Sequence, residues 1–238
     1  MMAFRKALGT SWQSAMEGPA RLLLWLAVAS LLAYGIVLPE VAETKHIILK
    51  TMGVGLLSLS AFVTIRKLDG LILGLALGFG AAGDALIAQP GGFINGLAAF
   101  LVGHLFYIAL FIRHRKSWGD MDLQRKFAIF LLVTGAVLLS ISLAPHVGDL
   151  KTYVNIYTLI ITTMAALAFM SRFNILVRMG AVSFLISDAL IAVGRFAAPV
   201  GSDNPFWTDL PYVIWGTYAL AQLLIYLGVS ARLREKSA

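Results

Sequence analysis

The chain has 238 residues, 59% hydrophobic and 13% charged, with a net charge of +7 and a mean hydropathy of +0.84. A soluble globular domain, which carries about 25% charged residues, is excluded. So is a cysteine-built framework, since the chain has no cysteine.

In chain order, residues 1–20 form a mildly basic N-terminal segment (Arg5, Lys6) that ends at Gly18-Pro19. A first apolar run covers about 21–38. Its start resembles a secretory signal, but the run continues to Leu38 and is read as a retained span. Seven more runs follow at about 45–65, 69–89, 93–112, 127–144, 151–170, 175–197 and 209–231, each near the ~20 residues that cross a bilayer. Pro39, Pro90-Gly91-Gly92, Pro145, Pro199 to Pro205 and Pro211 punctuate them. Residues 232–238 form a C-terminal tail.

The basic residues sit in alternate loops, a topology signal rather than a nucleic-acid patch. Of the 19 Lys and Arg, 15 fall on the side shared by both termini; Lys45, Lys50, Lys151 and Arg195 are the others. The positive-inside rule therefore places both termini in the cytoplasm and requires an even number of spans. The expected fold is an all-α polytopic membrane protein with eight transmembrane helices over 21–231, in a bacterial inner membrane. Losing the first span would give seven.

Asp84-Ala-Leu-Ile-Ala88 occurs again as Asp188-Ala-Leu-Ile-Ala192, on the third and seventh spans. These spans run in the same direction, which suggests two parallel four-helix repeats with a site between them. Gly70, Gly74, Gly78 and Gly83 on the third span admit a close neighbour and mark that helix as central.

A carboxylate inside an apolar helix is costly and functional by default. The polar residues within the spans are Lys50, Asp84, His104, Asn155, Asp188, Tyr218 and Gln222, with Tyr107 and Tyr157 as further candidates. Counting ~1.5 Å per residue puts Asp84 roughly 8 Å from the outer end of its helix, and Asp188, His104 and Tyr218 at about 13–18 Å. One polar cavity opening away from the cytoplasm would give such depths. Helix pairing by the aspartates, snorkelling by Lys50 and ordinary packing by His104, Tyr218 and Gln222 are the structural alternatives. Catalytic zinc wants three protein ligands. Since His46, His114 and His146 lie at or beyond span ends, only His104 remains, and neither metal nor cofactor is expected.

Gly83-Asp84, Gly96-Leu-Ala-Ala-Phe100-Leu-Val-Gly-His104-Leu-Phe-Tyr107, Gly180-Ala-Val-Ser-Phe-Leu-Ile-Ser-Asp188 and Tyr218-Ala-Leu-Ala-Gln222 together resemble the YhhN/TMEM86 family of lysoplasmalogenases. The resemblance runs from about Lys50 through the eighth span. The family's early Lys-Pro pair falls on Lys50-Thr51, without the proline. It implies hydrolysis of the vinyl-ether bond of a lysophospholipid, giving a fatty aldehyde and glycerophosphocholine or glycerophosphoethanolamine. The family's motif aspartates correspond to Asp84 and Asp188. Two carboxyl groups suit this reaction as they suit glycoside hydrolysis, one giving a proton and the other activating water. Lys50, His104 and Tyr218 would orient them or bind the headgroup. A proton-coupled transporter using the Asp pair and a different lysolipid hydrolase are the competing readings.

Overall fold

The computed structural model describes residues 2–16, 21–37, 47–65, 68–199 and 204–235. Gly18-Pro19, Pro39, Lys45, His46, Arg66-Lys67 and the end of the C-terminal tail lie outside them. The described residues form nine α-helices: α1 (Met2–Met16), α2 (Arg21–Val37), α3 (Ile47–Thr64), α4 (Leu68–Ile87), α5 (Phe93–Arg113), α6 (Leu123–Leu143), α7 (Lys151–Met170), α8 (Ile175–Phe196) and α9 (Pro205–Glu235). Seven of them, α3 to α9, are long and apolar enough to cross a membrane. The 17-residue α2 is predominantly apolar too, and at ~1.5 Å per residue it extends ~26 Å, close to the bilayer core. Leu22, Leu32, Ile36, Leu123, Phe130 and Ile141 all point outward, the side chains a lipid-facing surface requires. The chain is an integral membrane protein.

Three elements differ from the expected spans. The N-terminal segment is helical, because Phe4, Ala7, Leu8, Ser11 and Trp12 repeat at helical spacing and pack inward. Its Ser11 hydroxyl accepts from Asn174 Nδ2 (3.0 Å), and Trp12 meets Trp25 edge to face, tying α1 to the start of α8 and to α2. The fifth span starts at Leu123, earlier than expected. Asp122 caps it by accepting from Arg125 N (2.9 Å), while the Arg125 guanidinium donates to the carbonyls of Phe169 and Ser171. The last helix begins at Pro205, a residue suited to a first helical position, and runs on through Pro211. Membrane helices tolerate such a proline where neighbours satisfy the freed backbone.

The most extensive packing joins α4 to α5 and α8 to α9, with α3 laid along α4. Gly91, at φ +72°, makes the tight turn that folds α5 back on α4. The glycines expected as one stripe divide between two neighbours. Cβ atoms at Gly70 and Gly74 would collide with Ile65 and the Phe62 ring, and one at Gly78 would press Ser58 Oγ at 3.2 Å. Gly83 instead faces the Phe100 ring on α5, where a Cβ would sit 2.8 Å away. Thus α4 lies between α3 and α5. Several interior polar groups are paired across helices, as a low-dielectric surrounding favours: Ser58 Oγ to Gly74 O (2.7 Å), Ser60 to Tyr226 (2.5 Å), Ser183 Oγ to Thr217 O (2.7 Å), Trp215 Nε1 to Leu31 O (3.0 Å).

Candidate active site

Asp84 lies one turn before the end of α4 and is buried. Tyr218 on α9 donates its hydroxyl to Asp84 Oδ2 (2.7 Å), and the Lys50 ammonium on α3 lies 3.8 Å from Oδ1. Both carboxylate oxygens are therefore engaged, one by a phenol and one by a cation.

Asp188, two turns before the end of α8, has a different environment. Tyr157 on α7 donates to its Oδ2 (2.5 Å), and His104 Nε2 on α5 lies 3.4 Å from the same oxygen and 3.1 Å from the Tyr157 hydroxyl. The three groups form a closed triangle on Oδ2. His104 is held by burial and by the edge of Phe184, one turn before Asp188 on the same face of α8. Tyr107 and Gln222 meet beside the pair, the phenol donating to Gln222 Oε1 (2.7 Å). His104 with Tyr107 (i, i+3) and Tyr218 with Gln222 (i, i+4) each project from one helix face, so α5 and α9 deliver two polar groups apiece.

Asp84 and Asp188 line the same cavity, of about 490 Å³. Lys50 and Tyr218 join them in its wall, and Arg195, Ala198 and Trp207 lie at the end opposite the basic cluster of Arg113, Arg125 and Arg172. His104, Tyr107 and Gln222 stand behind the wall. Asn155 stands apart from these residues: it is exposed on α7 and does not line this cavity. Two residues from Tyr157, it lies on the other side of the helix, since neighbours on one face are three or four apart. Among the described residues, no three His, Cys, Asp or Glu side chains gather as a metal would need.

Sequence reasoning missed Tyr34 and Arg195. Tyr34, packed 4.4 Å from Trp215, is the one tyrosine of α2, and Arg195 had entered only the topology count. Arg195 stacks over Phe93, its guanidinium carbon 5.3 Å from the ring centre. A signal was available for both: polar groups near the same end of their helices as the aspartates.

Fold and site together define a polytopic membrane protein with a pair of aspartates in one intramembrane cavity. The chain belongs to the YhhN family, whose model matches residues 45–229. It is 32% identical over 159 residues to a lysoplasmalogenase of Mycobacterium bovis, a match covering 64% of this chain and 58% of that one. It is 30% identical over 174 residues to lysoplasmalogenase TMEM86B of Homo sapiens, covering 72% and 70%. With lysoplasmalogenase TMEM86A of Homo sapiens the identity is 29% over 165 residues, covering 64% and 62%. The chain thus spans less than two thirds of the mycobacterial relative's length. No solved structure matches it.

Proposed function

We propose that this protein is a lysoplasmalogenase, hydrolysing the vinyl-ether bond of a lysophospholipid to a fatty aldehyde and a glycerophosphodiester. The observation that carries the reading is the meeting of Asp84 and Asp188 in one cavity, in a family whose relatives bear that name.

The reaction needs an acid, a base and water. Asp188 acts as the acid: both its partners converge on Oδ2, leaving Oδ1 to hold a proton toward the cavity. It gives that proton to the β-carbon, whose new C–H bond takes the π pair and leaves an oxocarbenium ion at the α-carbon. Asp84, opposite the Lys50 ammonium, acts as the carboxylate base. It takes a proton from water as the water oxygen bonds to the α-carbon, giving a hemiacetal. In collapse, Asp188 takes the hemiacetal hydroxyl proton, the bond to the glycerol oxygen breaks, and Asp84 returns its proton to that oxygen. Both carboxyl groups end as they began, and water is the only co-reactant consumed. Lys50 and Arg195 give the headgroup phosphate two cationic partners in the cavity wall.

The charge distribution supports an orientation with both termini in the cytoplasm of a bacterial inner membrane and the cavity mouth on the other side. Purified protein in detergent releases aldehyde from a vinyl-ether lysolipid. Asp84→Asn and Asp188→Asn each lower that release by at least roughly a hundredfold, the scale of general acid–base catalysis, while remaining folded. Near-wild-type turnover in either variant overturns the two-carboxylate mechanism. Turnover of the matched ester lysolipid alone points to another lysolipid hydrolase, and solute flux into proteoliposomes without turnover to a transporter.

A further inference from the structure

A second cavity, of about 240 Å³, adjoins the first. Its walls come from α5, α6, α7 and α8, with Ile87 of α4, and they are mostly apolar; Asp188 and Tyr157 reach the lining, as do the hydroxyl residues Ser140 and Thr158. Asp188, Ile87, Phe93, Phe100 and Ile191 line both cavities, so the two are continuous beside one carboxyl group.

The groove exists because α6 packs loosely. Only Ile129 and Leu143 of this helix are buried, and it rests mainly on α7. The residues it turns toward the groove, among them Leu132, Gly135, Ala136 and Leu139, recur at helical spacing and form one face. Leu131 on α6 and Ile186 on α8 line the groove and yet are 52% and 46% exposed. The groove is therefore open sideways, between α6 and α8, on a surface that faces lipid.

We infer that this groove receives the hydrocarbon chain of the substrate from the bilayer, and that it fixes which carbon of the vinyl ether meets Asp188. The inference rests on the lysoplasmalogenase reading. In a vinyl ether the oxygen leads to the polar glycerophosphate and the β-carbon leads to the chain. A polar cavity on one side of Asp188 and an apolar groove on the other match that division. The chain in the groove brings the β-carbon to Asp188, and the headgroup in the larger cavity leaves the α-carbon to water held by Asp84. The groove's wall along α6 from Leu131 to Leu143 runs ~18 Å, a little more than the ~15 Å of one leaflet's hydrocarbon. Lipid is as apolar as the groove, so moving the chain between them contributes little free energy. The groove supplies direction and chain-length selection rather than affinity.

Gly135 is the position to fill, since it lines the groove and a Cβ there meets nothing within 4 Å. Gly216, equally open but on the exposed surface of α9 away from both cavities, is the control. Gly135→Phe and Gly216→Phe are compared with the wild type on vinyl-ether lysolipids of short and long chain. In parallel, all three proteins are photolabelled with a non-hydrolysable alkyl-ether lysolipid carrying a diazirine on its chain. Gly135→Phe lowers kcat/KM for the long chain relative to the short one by at least roughly tenfold, as misplacement of a reacting group does. Gly216→Phe keeps the wild-type profile. The label falls on the groove face of α6 and is lost in Gly135→Phe. An unchanged chain-length profile in Gly135→Phe, or label spread over α2 and α3 instead, overturns the inference. Absence of aldehyde from every chain length in the wild type defeats the proposed reaction instead, and the labelling pattern still decides the groove.

Discussion

Asp84 and Asp188 carry the same pentapeptide, but their side chains have unlike partners. Asp84 shares its two oxygens between Tyr218 and Lys50, whereas Tyr157 and His104 crowd one oxygen of Asp188. A phenol and an imidazole that converge on one oxygen fix the carboxyl plane and so aim the other oxygen. Tyr157→Phe removes one of these holds and leaves His104 in place. It lowers kcat roughly tenfold to a hundredfold through misorientation, with KM little changed, because Tyr157 holds the acid and not the headgroup. Steady-state kinetics on the vinyl-ether lysolipid separate the two constants, and a rise in KM at constant kcat would assign Tyr157 to binding. The sequence carried this pairing only in part. Intramembrane polarity singled out Asp84, Asp188, His104, Tyr157 and Tyr218, since each is costly in an apolar helix. Which aspartate each would face depends on helix rotation, and rotation is set by packing between helices. Asn155 shows the limit: polar and next but one to Tyr157, it turns away.

At the scale of the helix, what was legible was hydropathy, and what was not was context. Eight apolar runs became α2 to α9 because length and apolarity decide a span almost alone. The amphipathic α1 escaped notice because its apolar face is short and its segment polar, and the start of α9 because prolines that end soluble helices are tolerated here. Close approach of helices leaves a trace in glycine, and the trace predicts where bulk is refused. A Cβ at Gly180 on α8 would lie 2.9 Å from the Ala221 carbonyl oxygen and 2.8 Å from Ile225 on α9. Backbone cannot yield there as a flexible side chain can. Gly180→Val accordingly destabilises the protein by about 1–3 kcal/mol, the usual cost of overpacking. It also lowers turnover, because α9 carries Tyr218. Thermal unfolding in detergent measures the first effect, and an unshifted midpoint would mean that α8 and α9 slide apart freely.

Across the whole molecule, three polar contacts of the site cross between α2–α5 and α6–α9. Asp84 of the first set is held by Tyr218 of the second, and Asp188 of the second faces His104 of the first. Tyr107 on α5 and Gln222 on α9 close a third such contact at 2.7 Å, with both side chains buried. Each carboxyl group thus depends on the other set of helices for its orientation, so the site forms only when the two are docked. The Tyr107–Gln222 contact touches neither aspartate itself, and Gln222 adjoins Tyr218, the partner of Asp84, so the contact ties docking to the setting of that carboxyl group. Hydrogen bonds between membrane helices are weaker than their surroundings suggest, because groups freed in the bilayer find other partners. A double-mutant cycle of Tyr107→Phe and Gln222→Leu, read by thermal unfolding in detergent, therefore gives a coupling of about 0.6 kcal/mol and no more than about 1.7. Each single variant loses turnover in proportion to its loss of docking, and the double variant loses little more than the worse single. Full additivity of the two substitutions would show that this contact does not join the two sets, leaving the two crossed aspartate contacts to hold the site together.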